Sequence, residues 1–256
     1  MKNELAMSLI SRRHLTEEVA RGQIDALSNF DGGLVRPDKW SRFEPIRTPF
    51  DLVDTREPVR ALAKPQGNFS YRKGRPIVVS GTMWNLALPS DARFPSPVFT
   101  NYWTGEIDGN WASKRRERVE AFVTDMFHVT ESDFGLLTTR VDIEAKNATP
   151  MRPSYKGLTF KSGVPGLYSI NLFSDELADW LDLANFPVQL GTLKRLPFGG
   201  YSLKFCDDPN DATTVDVLKR QRIAIDWFGP DKFFDIRSPD RPVTLPAWRP
   251  VPGKEK

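Results

Sequence analysis

The sequence predicts an α+β fold: a largely antiparallel sheet packed with a few amphipathic helices and preceded by an extended N-terminal wrapping segment. Three observations lead there. Short runs of β-branched and aromatic residues, bounded by Pro and Gly, recur along the chain. Two stretches carry an apolar stripe at helical spacing. The two halves share a loose plan of strands around a helix but no repeat of fixed period, which favours antiparallel strands over a doubly wound parallel sheet.

The elements are justified in chain order. Residues 1 to about 30 are polar and moderately helical, with Leu5, Leu9 and Ile10 on one possible face. From Asp31 to Gly74 the prolines at 37, 45, 49, 58 and 65 predict extended segments around a core. Residues 1–67 are therefore expected to form a helical and turn-rich extension, 68–238 an α+β domain, and 239–256 a proline-rich tail. The run Pro76–Leu86 predicts the first strong strand and Pro97–Gly105 the second. In the second, Val98, Thr100 and Tyr102 alternate with Phe99, Asn101 and Trp103, so both faces carry bulk. Such a strand is covered on both sides, or its second face binds something.

Ser113 is expected to cap a helix whose stripe is Val119, Phe122, Val123, Met126 and Phe127. A strand over Gly166–Phe173 follows, then a short helix capped by Ser174, with Asp175 and Glu176 in the turn where the helix dipole favours carboxylates. Leu177, Trp180 and Leu181 are its expected buried stripe. A strand over Gly199–Cys206 and a helix from about Thr214 to Phe228, stopped by Gly229-Pro230, complete the pattern.

Composition narrows the function. An aromatic fraction of 11% argues for a packed core rather than a disordered chain. One cysteine, Cys206, forms no internal disulfide, so nothing points to an oxidising compartment. The N-terminal apolar run is interrupted by Glu4 and Ser8, unlike a signal peptide, and no run reaches the ~20 apolar residues of a membrane span. A cytoplasmic location without membrane attachment is the expectation. The 36 basic and 33 acidic residues nearly balance. The densest basic cluster, Lys114–Arg118, lacks interleaved aromatics and reads as the solvated first turns of a helix, which argues against nucleic acid as a partner.

The residues that carry chemistry are sparse. His14 and His128 are the only histidines, in no metal-ligand spacing, and Cys206 has no local base. No nucleophile elbow or phosphate loop is present. Asp207, Asp208, Asp211 and Asp216 lack the glycine and distal glutamate of a calcium loop and read as helix capping and surface charge. No catalytic residue, metal site or cofactor is expected. A second acidic group, Asp175, Glu176, Asp179 and Asp182, reads as a solvated helix face or as a docking surface for a basic partner.

Several segments together resemble a known family. They are Asn68–Arg72, Val79–Asn85, Gly135–Thr139, Glu144–Asn147, Gly163–Phe173 and Trp227–Asp235. They resemble bacterial polymorphic-toxin immunity proteins, in particular the immunity protein 52 family and its type VI secretion relatives, over roughly residues 68 to 238. The resemblance implies a cytoplasmic protein that binds a cognate protein toxin and blocks it, with no catalysis of its own. The contact residues expected on that reading are Asp175, Glu176, Asp179 and Asp182, with the aromatic strand around Tyr102 and Trp103 as the alternative surface. The competing expectation is a structural or interaction protein of a phage or mobile element.

Overall fold

Each strand described below has an antiparallel partner in the computed structural model, which describes residues 4–75, 77–89, 93, 99–147, 163–238 and 240–249. The α+β expectation holds. The chain divides into two units, Met1–Ser132 and Asp133–Lys256.

The first unit is built on strands β1 (Glu4–Ser11), β2 (Lys39–Ser41), β3 (Thr48–Pro49), β4 (Asn68–Lys73), β5 (Val79–Asn85) and β6 (Asn101–Asp108), in the order β3-β2-β4-β5-β6-β1. Helices α1 (Glu17–Asn29), α2 (Arg56–Ala63), α3 (Gly109–Ser113) and α4 (Arg116–Val129) accompany them. The register sets which side chains share a face. Leu9 lies opposite Trp103, Trp103 opposite Met83, and Met83 opposite Phe69. One step along, Met7, Gly105, Gly81 and Tyr71 align in the same way. This face is the core. Trp103 donates its indole N–H to the Tyr71 hydroxyl at 3.0 Å, and Phe122 of α4 meets Trp103 edge-on at 5.8 Å.

Gly81 and Gly105 make room for that pair. A Cβ at Gly81 would collide with the Thr104 carbonyl oxygen and the Tyr71 hydroxyl, and one at Gly105 would press on the Trp103 ring. The buried stripe of α4 is Val119, Phe122, Val123, Met126 and Phe127, as its spacing predicts. Its start differs. The chain first makes the short α3, and α4 begins at Arg116 after Arg115, whose side chain makes no capping bond.

The N-terminus is a correction. Leu5, Leu9 and Ile10 belong to a strand, not a helix, because β1 pairs along its length from Glu4–Asp108 to Ser11–Asn101. Leu5, Met7 and Leu9 are buried on one face and Ala6, Ser8 and Ile10 on the other. A strand covered on both faces shows a near-continuous apolar run, which imitates a helical stripe when it is short. Residues 1–67 supply three strands and two helices of the first unit, so they are an integral part of it and not an extension.

The second unit contains β7 (Phe134–Thr139), α5 (Arg140–Asn147), β8 (Ile170–Phe173), α6 (Asp175–Leu181), β9 (Thr192–Arg195), β10 (Tyr201–Lys204) and α7 (Val215–Phe228), with strand order β7-β8-β10-β9. Ser174 caps α6 as expected, accepting the Leu177 N–H. The buried stripe of α6 is Leu177, Ala178 and Leu181. Trp180 is half-exposed rather than buried, with the Lys232 ammonium 4.8 Å from its ring centre. Gly229, at φ +102°, ends α7. The described part of the tail folds back on this unit: Thr244 donates its N–H to Asp231, and Arg249 its N–H to Glu176.

Phe122→Ala should cost about 3–5 kcal/mol in denaturant unfolding, because a buried ring between Trp103 and Phe30 leaves a cavity. Tyr71→Phe should cost about 1–3 kcal/mol at neutral pH, because the Trp103 N–H loses its acceptor in the core. Burial raises the Tyr71 hydroxyl above its ordinary 10.0. The folded state thus keeps a proton that the unfolded chain releases at that pH. The stability this group contributes is present below 10.0 and lost as pH rises above it, so the deficit of Tyr71→Phe should shrink in alkaline buffer. A deficit that stays constant or grows would contradict this.

Candidate protein-binding surfaces

Strand parity leaves a second face on the sheet of the first unit. Because Met83 and Trp103 point into the core, their neighbours Trp84 and Tyr102 point the other way, directly opposite each other across β5 and β6. Their rings are half-exposed and tilted against one another at 5.3 Å. The next row on this face holds Thr82 and Thr104, with Thr82 hydrogen-bonded to Ser70 at 3.0 Å. Two aromatic rings above a row of hydroxyls, on a backbone fixed by strand pairing, form a contact surface that needs little ordering on binding.

This arrangement sorts the two aromatic residues expected at a surface. Tyr102 stands on the half-exposed face. Trp103 does not: it is 0% exposed, its N–H is used by Tyr71, and it is a core residue. The residue missed is Trp84, which faces Tyr102 on the neighbouring strand and is linked to it by register rather than by sequence.

The acidic group lies on α6 and its C-terminal end. Asp175 is an exposed carboxylate already engaged by Arg195 at 2.6 Å and by the Gly200 N–H at 2.9 Å. The Gly200 backbone, at φ +82°, passes so close that a Cβ there would strike the Phe173 carbonyl oxygen. Glu176 accepts the Arg249 N–H. Asp182, at φ +59°, accepts from Asn185 at 2.8 Å. Asp179 is exposed. Three of the four carboxylates thus share one helix and the fourth caps it, but much of their charge serves local structure.

A third feature of the second unit is a buried ionic cluster that sequence reading did not single out. Lys146 on α5 reaches Asp142 at 2.7 Å, the Leu167 carbonyl oxygen at 2.8 Å and the Gln221 side-chain oxygen at 2.8 Å. Thr138 donates to Asp142 at 2.7 Å and shares a hydrogen bond with Ser169 at 3.0 Å. Burial pulls the Lys146 ammonium below its ordinary 10.5, with Asp142 opposing that pull. Three acceptors consume the three N–H groups of Lys146, so it ties α5 to the chain before β8 and to α7. Spacing gives half of the signal, Asp142 and Lys146 being four apart on a helix; Gln221, far along the chain, gives the rest. Nearby, burial raises the Cys206 thiol above its ordinary 9.0, with Ser169 opposing, and a protonated thiol is a poor nucleophile. No helix among the described residues is long and apolar enough to cross a membrane.

No family model matches the chain, and no curated protein matches it in sequence. Among solved structures the chain is similar to Pseudomonas aeruginosa T6SS protein PA0821, at a TM-score of 0.55 and 13% identity over 88% of this chain and 74% of that one. At that identity the likeness is one of fold.

Lys146→Met should destabilise the protein by about 3–5 kcal/mol, because it strands the Asp142 carboxylate inside the second unit. The double variant Asp142→Asn with Lys146→Met should recover a large part of that loss in the same chemical-denaturation assay. Additive losses would show that the pair is not coupled.

Proposed function

We propose that the chain is a binding protein of the immunity type, which captures a cognate protein toxin of a type VI secretion or related polymorphic-toxin system and blocks it without catalysis. The observation that carries this reading is the Trp84–Tyr102 pair, half-exposed on a rigid sheet face. Aromatic side chains dominate the energetics of protein interfaces, and a pre-formed surface keeps the entropic cost of docking low. The fold likeness to a T6SS protein supports the same reading, as do the segments that resemble immunity proteins. Chemistry is a poorer account of these residues: Cys206 is held protonated, and the N–H groups of Lys146 are all committed to structural acceptors.

Capture would use two components. The aromatic pair supplies short-range affinity. The carboxylates of α6, Asp179 foremost because it is exposed at the middle of the cluster, supply attraction for a basic toxin cleft. Asp175 is a weaker candidate, since Arg195 already neutralises it.

The test is co-expression with the product of the neighbouring gene, followed by titration calorimetry on the purified pair. Trp84→Ala and Tyr102→Ala should each weaken capture by about 2 kcal/mol or more while the chain stays folded. Asp179→Lys should slow association with a smaller effect on dissociation. A toxin bound equally well by the folded Trp84→Ala and Tyr102→Ala proteins would remove the sheet face from the interface. Absence of any toxin protein in the complex would remove the reading itself.

A further inference from the structure

Neither surface described above uses the basic side of α2. A cleft of about 360 Å³ opens beside that helix in the first unit, lined by Arg42, Arg56, Arg60 and Lys64 together with Asp54 and Glu57. Arg56 and Arg60, four apart, share one face of the helix, and Lys64 follows at its C-terminal cap. Like charges so placed repel one another, so the arrangement costs stability unless something offsets it.

Part of it is offset internally. Arg56 forks onto Asp54 with hydrogen bonds of 2.8 and 2.6 Å, which lowers the Asp54 carboxyl from its ordinary 3.8 to about 2. That pair cancels. It also shows, inside the cleft, the two-pronged geometry that a carboxylate adopts on a guanidinium here. Arg42, Arg60 and Lys64 remain, with Glu57 as the one other carboxylate in the lining. All three cations are exposed, and none has a carboxylate within ion-pair distance among the described residues.

The rim is apolar. Phe43 is 69% exposed, with the Arg42 guanidinium 5.5 Å from its ring centre, and Val53, beside Asp54, is 96% exposed. Arginines flanked by an exposed aromatic and an exposed aliphatic side chain form the composition of a protein interface. A protein segment supplies carboxylates and an apolar side chain together, which suits these residues better than a phosphodiester backbone does.

We propose that this cleft docks a carboxylate-rich protein segment that also carries an apolar side chain. The carboxylates would meet Arg42, Arg60 and Lys64, and the apolar group would rest on Phe43 and Val53. The proposal does not depend on the partner being a toxin: an acidic partner here is the electrostatic opposite of the basic one that α6 would select.

The probe is a synthetic peptide of alternating Glu and Asp around one central Trp. Its controls are the same peptide with Lys in place of the acids, and a single-stranded oligonucleotide of equal charge. Binding to the full chain is followed by fluorescence anisotropy at low and high salt. The acidic peptide should bind, more weakly at high salt, and the Lys peptide should not. Arg60→Glu with Lys64→Glu should weaken it by about tenfold or more, and the milder Arg60→Gln with Lys64→Gln by less; Phe43→Ala should weaken it several-fold. Circular dichroism confirms folding, which these exposed positions should not disturb. Three results would each overturn the proposal: no binding of the acidic peptide, unchanged binding in both double variants, or tighter binding of the oligonucleotide than of the peptide. None of them bears on toxin capture, which the Trp84 and Tyr102 variants test separately.

Discussion

The buried hydrogen bond from Trp103 to Tyr71 organises the first unit. Two large rings with polar handles lie side by side on one sheet face, and the Tyr71 hydroxyl accepts the Trp103 N–H where water is excluded. That arrangement requires Gly81 and Gly105 at the positions where any side chain would collide with the backbone or the rings. It also fixes the register of three neighbouring strands, since a slip of one residue would turn both rings out of the core. The helix α4 then finds its place by setting Phe122 against Trp103.

The binding face is a consequence of the same constraint. Once Trp103 and Met83 point inward, alternation forces Tyr102 and Trp84 outward and opposite one another. Core and surface are therefore written in the same two strands, on alternate residues. This explains why the stretch Asn101–Trp103 carries bulk on both faces: one face holds the protein together and the other has aromatic surface to spare. An isolated exposed ring would need no explanation, but a facing pair on neighbouring strands is a rigid platform.

Features encoded within a few residues were legible in the sequence. The stripe of α4, the Ser174 cap and the Gly229 stop depend on local spacing and backbone chemistry, and the structure follows them. Features set by partners distant in the chain were not. Whether β1 is a strand depends on its pairing with β6, about a hundred residues away, and its own two-sided apolar run imitates a helix. Ala178 rather than Trp180 is buried, and the cation over the Trp180 ring is Lys232, some fifty residues further along the chain. The parity of Tyr102 and Trp103 was visible as alternation, but which of them faces the core depends on Tyr71 and Gly81 in other strands. Nor could the sequence show that Arg42 joins the α2 arginines, because that cleft is assembled from segments separated by a proline-rich loop.

Net charge of +3 therefore conceals the electrostatic character of this molecule. Basic groups collect beside α2 in the first unit and carboxylates on α6 in the second. The two collections differ in how far they are satisfied. On α6, Asp175, Glu176 and Asp182 have partners within their own unit, so the cluster has largely settled its charge in folding. Beside α2, only Arg56 has done so. An exposed ion pair contributes little to stability, so leaving Arg42, Arg60 and Lys64 without carboxylates costs the fold little. The same groups become valuable when a partner supplies the carboxylates and excludes water from the cleft, because Coulomb attraction grows as the surroundings become less polar. Unspent charge beside exposed apolar side chains is a more direct mark of an interface than a mostly internally paired acidic cluster.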